Sequence, residues 1–373
     1  RTLRTLCGDG CELVVIYPNL MNMHSSRTNP DRAVVTRRLG ARPRAMSADA
    51  HEDVIARVVD DAVARGSFVI LESVVSTTRR ALSTDDADSL LLRFAQSVSR
   101  YARPPTSRFH VGAAARGTSG NVYLGVNVEI SAVPLNHSIH AEQFALVTAN
   151  ANDECKLEAI ATTDAPCGHC RQFMNELRDA PGLRCVTRKW RSPLAELLPH
   201  AFGPMDLLDD GETLLLEKSS VDASGMNPQF ATLAYVHGEK SPPSDDLMPL
   251  TRLLERHGDD WNALAPLALE AMRKAYAPYS SSRAGIAIKA SCGGTFVGWS
   301  MECAAYNPSM SPLQVVFARM VAHGKDLSSI EQCLLLECPG AHVKYDCTVR
   351  LTLEKIAPKA AVIVANIGHE NIA

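Results

Sequence analysis

The residues best suited to chemistry form two short motifs in this 373-residue chain. One is His140-Ala141-Glu142. The other reads Pro166-Cys167-Gly168-His169-Cys170, and its first cysteine follows His140 by 27 residues. A catalytic zinc ion is usually held by three protein side chains, and water takes the fourth position. The spacing therefore predicts a zinc site whose ligands are His140, Cys167 and Cys170.

The surrounding residues suit this interpretation. Two cysteines three positions apart fit the first turn of a helix, where unpaired amide hydrogens and the helix dipole stabilise thiolates. Glu142 lies beside a ligand but is not needed to complete the set, so it can move protons next to a zinc-activated water. His-x-Glu followed by Pro-Cys-x-x-Cys is the pattern of zinc-dependent deaminases. The alternative is a structural zinc site, but that would normally close with a fourth protein ligand.

The chain contains an internal repeat. A gapless shift of 173 residues gives 14 identities over the 59 positions from 112 to 170, including Gly125 with Gly298 and Glu129 with Glu302. We therefore expect two copies of one domain. The shift opposes every motif residue with one that cannot serve: His140 with Leu313, Glu142 with Val315, Cys167 with Gly340 and Cys170 with Val343. The second copy is predicted to fold alike without a metal.

Other cysteines and histidines are not predicted to bind the metal. His169 lies between the two ligand cysteines, but its counterpart His342 occurs in the second copy, where no ligand set exists. A packing or hydrogen-bonding role is the simpler interpretation for His169. Cys7 and Cys11 are close in sequence but lack matching histidines or a second pair, which indicates an incidental spacing.

The elements that must position these residues follow from periodicity and from turn residues. Apolar residues recur at helical spacing between 49 and 101, and short strands broken by glycine follow. Glycine, proline and serine cluster at 219–225 and 241–246, as in an interdomain connection. We predict a disordered extension over 1–48, a helical segment over 49–84, a catalytic domain over 85–218, a linker over 219–246 and a degenerate domain over 247–373.

Composition excludes several classes of protein. No apolar stretch approaches the length of a membrane span. The net charge of −3 does not favour nucleic acid or anionic lipid as a partner. Eleven cysteines, an odd number, indicate a reducing compartment, and the cytoplasm is expected. Residues 1–45 carry eight arginines, no lysine and three acidic residues, so an organelle transit segment is the alternative there to a disordered extension or a mis-assigned start.

From about residue 50 onward the chain resembles the cytidine deaminases of the two-domain, dimeric type. The matching segments are Phe109-His110-Val111-Gly112-Ala113-Ala114, Gly125-Val126-Asn127-Val128-Glu129, the two zinc motifs, and Tyr276-Ala277-Pro278-Tyr279-Ser280 in the second copy. The resemblance implies an α/β fold, namely a duplicated three-layer α/β/α sandwich with mixed five-stranded sheets, one catalytic and one degenerate. It also implies one zinc ion per subunit and a homodimer. The first copy departs from the pattern, because Arg100-Tyr101-Ala102-Arg103-Pro104-Pro105 stands where the tyrosine box is expected.

The resemblance also implies roles for further residues. Asn127 and Glu129 match the pair that holds the ribose 3′-hydroxyl, Phe109 matches an aromatic residue that packs on the base, and Ala141 matches a substrate contact. An exposed strand edge is the alternative interpretation of Asn127 and Glu129. Contacts from the partner subunit would come from Phe202, Ala305 and Tyr306.

The implied reaction is the hydrolytic deamination of cytidine and deoxycytidine to uridine and deoxyuridine, as in pyrimidine salvage. Zinc-bound hydroxide would attack C4 while Glu142 shuttles protons to N3 and to the departing amine. The alternatives are a deaminase that acts on cytosine in single-stranded nucleic acid and one that acts on a cytidine nucleotide. The first would need a basic channel with aromatic platforms, which the charge and the 5% aromatic content do not favour.

Overall fold

A computed structural model describes residues 2–7, 11–16, 47–217, 226–238, 244–291 and 293–369. The chain forms two compact units, Arg1–His51 and Glu52–Ala373. In the first unit, strands β1 (Thr2–Cys7) and β2 (Cys11–Ile16) pair antiparallel, with Cys7 opposite Cys11. These two strands were not predicted, since residues 1–48 were expected to form a disordered extension. Residues 17–46, most of the predicted disordered extension, lie outside the described residues.

The first copy is built from alternating helices and strands. Its elements are α1 (Ala48–Ala64), β3 (Val69–Ile70), α2 (Glu72–Ala81), α3 (Ala87–Val98), β4 (Gly112–Gly117), β5 (Val122–Val126), α4 (Ala141–Ala151), β6 (Leu157–Thr162), α5 (Gly168–Met174), β7 (Arg184–Val186), β8 (Arg191–Pro193) and α6 (Leu194–Leu197). The helical segment predicted over 49–84 also contains β3, which pairs with β5. Residues 49–84 are therefore part of the first copy.

The second copy follows a similar order. Its elements are β9 (Met226–Val236), β10 (Ser244–Met248), α7 (Leu250–Glu255), α8 (Asp259–Lys274), β11 (Ala284–Ala290), β12 (Thr295–Trp299), α9 (Pro312–Ala322), β13 (Ile330–Glu337), α10 (Asp346–Ile356) and β14 (Ala361–His369). Within the described parts of both copies, no helix is both long and apolar enough to cross a membrane.

Each copy contains one six-stranded mixed sheet, so the sheets are one strand wider than predicted. The orders are β3-β5-β4-β6-β7-β8 and β10-β9-β14-β13-β11-β12. A common core of five strands lies within both: β5-β4-β6-β7-β8 corresponds to β12-β11-β13-β14-β9, and in both only the β6–β7 and β13–β14 pairs are parallel. The sixth strands, β3 and β10, add at opposite edges.

Helices cover both faces of each sheet, which confirms the three-layer sandwich. A Cβ on Gly112 would lie 2.0 Å from the Ala95 carbonyl oxygen of α3, whereas a Cβ on Gly125 would lie 2.2 Å from the Ala141 oxygen of α4. Gly125 is directly opposite Ala113, the neighbour of Gly112, and successive strand residues point to opposite faces. The two helices therefore pack on opposite faces, and glycine permits their close approach.

The second copy repeats this arrangement, with Gly285 under α8 and Gly298 under α9. The buried side chains of α7 and α8 pack on its sheet in one apolar cluster that includes Leu254, Trp261 and Leu336.

The linker predicted over 219–246 is shorter in the structure. Residues 226–236 form β9, which pairs antiparallel with β14 and supplies the fifth core strand of the second copy. In the first copy that position belongs to β8, which follows the sheet in sequence instead of preceding it. The turn residues on both sides of β9 favoured the linker interpretation, although the run between them includes the β-prone residues Phe230, Tyr235 and Val236.

The register of the repeat changes within the structure. Isolated bridges join Val128 to Ile139 and Met301 to Met310, so the second copy has two residues fewer in the intervening loop. The capping residue before α9 is Ser311, which makes it, and not Leu313, the counterpart of His140. Leu313 in turn corresponds to Glu142. The prediction that the second copy lacks the ligands holds, but its residue pairing at α9 was wrong by two.

The two copies contact each other through the first turns of α4 and α9. Gln143, in the first turn of α4, donates from Nε2 to the Pro308 oxygen at 3.0 Å. Its counterpart Gln314 donates from Nε2 to the oxygens of Asn136 and Ser138 at 3.3 and 3.4 Å. Each copy thus holds a loop of the other through the start of its central helix.

Candidate metal and catalytic site

His140 lies at the start of α4, where it is the N-cap residue in an extended conformation. Its backbone N–H donates to Gln143 Oε1 at 3.1 Å, which satisfies an amide that the helix itself cannot pair. This leaves the imidazole free to project from the end of the helix.

Cys167 is the N-cap of α5, and Cys170 lies in the first turn of the same helix, fully buried. Pro166, just before the N-cap, helps to start the helix there. The predicted placement of both thiols at a helix N-terminus is therefore what the structure shows.

The three predicted ligands converge. One ligand atom each from His140, Cys167 and Cys170 lie within 4.8 Å of one another, and Cys167 Sγ is 3.5 Å from His140 Nδ1. Zinc–sulfur and zinc–nitrogen bonds of about 2.3 and 2.1 Å in a tetrahedral site separate adjacent ligand atoms by roughly 3.6 Å. The residues present thus fit a zinc ion by both chemistry and spacing.

The thiols and the imidazole influence one another's protonation. Hydrogen bonds from Cys170 and His140 lower the pKa of Cys167 to about 3. The contact with Cys167 and burial raise the pKa of Cys170 well above its usual value, while Cys167 raises the pKa of His140. The cluster thus favours one thiolate even without a cation.

Glu142 is buried in the first turn of α4, two residues after His140, with 5% of its surface exposed. Burial raises the pKa of its carboxyl, and this outweighs the nearby charge of His140. A carboxyl group with a raised pKa beside a metal cluster is suited to taking up a proton and releasing it again.

His169 has the packing role expected of it. Its ring stacks on His140, with centroids 5.0 Å apart and planes 21° from parallel, and its Nε2 lies 3.1 Å from Gln143 Nε2. The metal-ligating group of the described residues does not include it.

The predicted substrate residues Asn127 and Glu129 follow β5 and hold backbone segments. Asn127 Oδ1 accepts from Val111 N–H at 2.9 Å, and its Nδ2 donates to the Phe109 oxygen at 2.9 Å. Glu129 Oε2 accepts from the N–H groups of Thr106 and Ser107 at 2.8 and 2.9 Å. Both side chains thus shape the loop that presents Phe109. Phe109 is 55% exposed.

Ala141 is the first residue of α4 and is buried. Phe202 is half-exposed, and its carbonyl oxygen accepts from the side chains of Gln172 in α5 and of Asn175 just after α5. The substrate role of Ala141 and the partner contact of Phe202 remain predictions.

The segment that carries Ala305 and Tyr306 lies next to α4 and α5 of its own chain, and the contact of these two residues with a partner subunit stays a prediction. Cys303 Sγ contacts the Gln172 oxygen at 3.6 Å, and Pro308 accepts from Gln143. The reciprocal contacts of Gln143 and Gln314 bring a loop of each copy to the central helix of the other. Tyr306 is 68% exposed.

Sequence reasoning missed two polar residues at this site, Gln143 and Glu176. Gln143 links His140, His169 and the second copy. Its recurrence as Gln314 is visible only in the structural register. Glu176 is completely buried beyond the end of α5, and no spacing in the sequence marks it.

A three-layer α/β sandwich with a His/Cys/Cys cluster and a buried glutamate beside it defines a zinc-dependent hydrolase site. Two family models, both described as "Cytidine and deoxycytidylate deaminase zinc-binding region", match residues 85–182 and 194–350.

Curated relatives match most of the chain. It is 36% identical over 309 residues to cytidine deaminase 1 of Arabidopsis thaliana. The aligned region covers 79% of this chain and 95% of that protein. It is 38% identical over 262 residues to the cytidine deaminase of Pectobacterium carotovorum subsp. carotovorum (strain PC1), covering 70% and 76%. This chain belongs to the cytidine deaminase family, whose members are zinc-dependent hydrolases of C–N bonds.

Proposed function

We propose that this chain deaminates free cytidine and deoxycytidine, releasing ammonia and leaving uridine or deoxyuridine. The observation that carries the proposal is the convergence of His140, Cys167 and Cys170 beside the buried Glu142. The relatives named cytidine deaminase support the same reaction.

Zinc, held by His140, Cys167 and Cys170, would act as a Lewis acid that activates water as the nucleophile. Glu142 handles the protons. It takes one proton from the attacking water and delivers it to N3 of the ring as the bond from C4 to oxygen forms, and it then takes the remaining hydroxyl proton and passes it to the exocyclic amine. The bond from C4 to that nitrogen breaks, and ammonia leaves. The raised pKa of the buried carboxyl suits both steps, since Glu142 must be protonated for part of the cycle.

The remaining predicted residues orient the nucleoside. Phe109 packs on the base, Ala141 lies at the start of α4 beside it, and Asn127 with Glu129 grip the 3′-hydroxyl. A site that binds a free 3′-hydroxyl disfavours a nucleic-acid strand as substrate, because the strand continues from that position. The free nucleoside is therefore the proposed substrate.

We also propose that the chain acts as a homodimer in the cytoplasm, in pyrimidine salvage. The half-exposed Phe202 and the exposed Tyr306 support an interface near the site. Eight cysteines among the described residues of the second unit are free thiols, as in a reducing compartment. Light scattering coupled to size-exclusion chromatography tests the dimer.

The first test is ammonia release from cytidine by zinc-loaded protein, with Glu142→Gln beside it. We expect Glu142→Gln to lower kcat by about 10³-fold, since general acid–base catalysis supplies about 10²–10⁴-fold. Glu154→Gln is the matched control, because Glu154 is equally buried but lies among Ser119, Thr118 and Tyr123. It should keep its turnover number.

Two results would overturn the proposal. Full turnover by Glu142→Gln would show that Glu142 does not carry the protons. The zinc-loaded wild type could also release no ammonia from cytidine but release it from single-stranded nucleic acid or from a cytidine nucleotide. That result would show that the free nucleoside is not the substrate.

A further inference from the structure

Glu176 is the most deeply buried carboxylate of the first copy and lies two residues beyond α5, the helix of the two cysteines. Three hydrogen bonds to its carboxylate come from the second copy. Tyr276 and Tyr279 donate their hydroxyls to Oε2 at 3.1 and 2.5 Å, and the Ala304 N–H donates to Oε1 at 2.8 Å. The end of the cysteine helix is therefore tied to the other copy.

Such an arrangement is costly unless it is complete. A carboxylate taken out of water loses solvation worth several kcal/mol, about as much as good hydrogen bonds return. Removing one donor leaves a buried group partly unpaired, at a cost of roughly 1–3 kcal/mol. The three donors thus hold Glu176 in one position.

The repeat shows that this contact exists in one direction only. The residues that correspond to Tyr276 and Tyr279 in the first copy are Arg103 and Thr106, as the matching bridges and glutamate contacts place them. Arg103 donates instead to the Lys325 oxygen at 2.8 Å. On the receiving side, the buried residues of α10 are Val349, Thr352 and Leu353, none of them ionisable.

The surviving contact is therefore the one that reaches the metal-ligand helix. This accounts for the intact tyrosine box in the second copy and its loss in the first. A contact needed only to join the two copies could have survived in either direction, or in both.

The same surface of the second copy contacts other parts of the site. Cys303 lies against the Gln172 oxygen in α5, and Pro308 accepts from Gln143, which in turn holds the His140 backbone and lies against His169. The histidine end and the cysteine end of the cluster are thus both braced by one segment, residues 303–308.

We infer that Glu176 is a positioning residue, which the second copy uses through Tyr276 and Tyr279 to hold Cys167 and Cys170 at ligand distance from His140. The inference rests on the proposed zinc site. It gives the metal-free copy a specific task, which is to keep the ligand set assembled.

The experiment compares Tyr279→Phe and Glu176→Gln with Tyr123→Phe. Tyr123 is the matched control because its hydroxyl donates to buried Glu154 at 3.0 Å in the same domain, away from α5. Zinc release from the full-length holoprotein is followed with a chromogenic chelator, which needs no turnover. We expect about tenfold faster release from Tyr279→Phe and Glu176→Gln, since groups that orient metal ligands typically contribute about 10–100-fold to affinity.

The kinetic constants provide a second measurement. In zinc-saturating buffer, Tyr279→Phe should lower kcat for cytidine and leave KM within about twofold, because it displaces ligands and not substrate contacts. Tyr123→Phe should lower Tm by a similar amount with no change in zinc release or kcat. Adding Tyr279→Phe to Glu176→Gln should have little further effect, as the two act through one contact.

The inference is overturned if Tyr279→Phe and Tyr123→Phe lose Tm alike and both release zinc at the wild-type rate. If Glu176→Gln does not fold, Tyr279→Phe and Tyr276→Phe still decide the matter. A wild type that binds zinc but does not deaminate cytidine would defeat the proposed function and leave this comparison of release rates valid.

Discussion

The two copies hold a glutamate in the same turn, and only one of them is predicted to use it for substrate. Glu129 accepts from two successive backbone N–H groups at 2.8 and 2.9 Å. Glu302 accepts from those of Tyr279 and Ser280 at 3.0 and 3.2 Å, and also from the Ser280 hydroxyl. The shared part of the contact is structural, so Glu302 is explained without any ligand.

Asn127 and its counterpart Ser300 likewise share one structural contact, and a second contact is made by Asn127 alone. Both accept from the first backbone N–H of the neighbouring strand segment, Val111 at 2.9 Å and Ala284 at 3.3 Å. Only Asn127 has a second polar atom, which donates to the Phe109 oxygen. What the metal-free copy lacks is thus the part that positions Phe109.

Gly125→Ala and Gly298→Ala test how far the two copies share one scaffold. The added Cβ would lie 2.2 Å from a carbonyl oxygen of α4 in one case and of α9 in the other. We expect each to cost about 1–3 kcal/mol of the free energy of unfolding, as for overpacking in a core. Thermal unfolding of both variants is the measurement.

Their effects on activity should differ. The oxygen that meets the new Cβ near Gly125 belongs to Ala141, next to Glu142, so Gly125→Ala should also lower kcat more than tenfold. Gly298→Ala should act on stability and leave kcat near the wild-type value. Equal losses of kcat in the folded variants would mean that strain passes between the copies, contrary to a shared but separable scaffold.

The candidate ligands His140, Cys167 and Cys170 and the candidate proton carrier Glu142 could be identified in the sequence from local spacing, whereas the three-layer sandwich was predicted from the resemblance to the cytidine deaminases. The sequence did not predict the pairing of Ser311 with His140. A gapless shift cannot register two residues removed from a loop and restored before the next strand. The strand β9 was missed for a related reason, since its pairing with β14 is a long-range contact that its own residues do not specify.

Glu176 was missed because its function depends entirely on distant residues. A glutamate six positions after Cys170 looks like any helical surface residue until Tyr276 and Tyr279 are seen to contact it. The only signal in the sequence was that the first copy lacks the tyrosine box found in the second copy. The sequence alone offered no reason for that difference.

Glu129→Gln and Glu302→Gln separate the structural and substrate parts of the shared glutamate. Each should cost about 1 kcal/mol of stability, because hydrogen bonds to a charged acceptor become neutral ones. Only Glu129→Gln should raise KM for cytidine, by about tenfold for one lost substrate contact. An unchanged KM would make Glu129 a purely structural residue.

The pH dependence of stability provides the control for Glu129. Burial alone would raise its pKa, but hydrogen bonds from Ser107 and Thr106 hold the pKa below the ordinary 4.5. The stabilisation is therefore present above pH 4.5 and is lost as the pH falls through the lowered value. The difference between wild type and Glu129→Gln in urea unfolding should shrink over that acid range. A constant difference would indicate lost packing in place of lost charge.

The smallest expected effect comes from restoring the ligands to the second copy with Ser311→His, Gly340→Cys and Val343→Cys. We expect no zinc to be gained. In the first copy α5 starts at Gly168, with Cys167 as its N-cap, whereas α10 starts at Asp346, with Tyr345 as its N-cap. Positions 340 and 343 therefore lie in a turn before the helix, and Gly340 has a φ of +65°, which strains a cysteine. Zinc content, measured in a Cys167→Ala background that removes the first site, should stay at zero. Stoichiometric zinc would show that ligand identity alone separates the two copies, and that the position of the helix start does not matter.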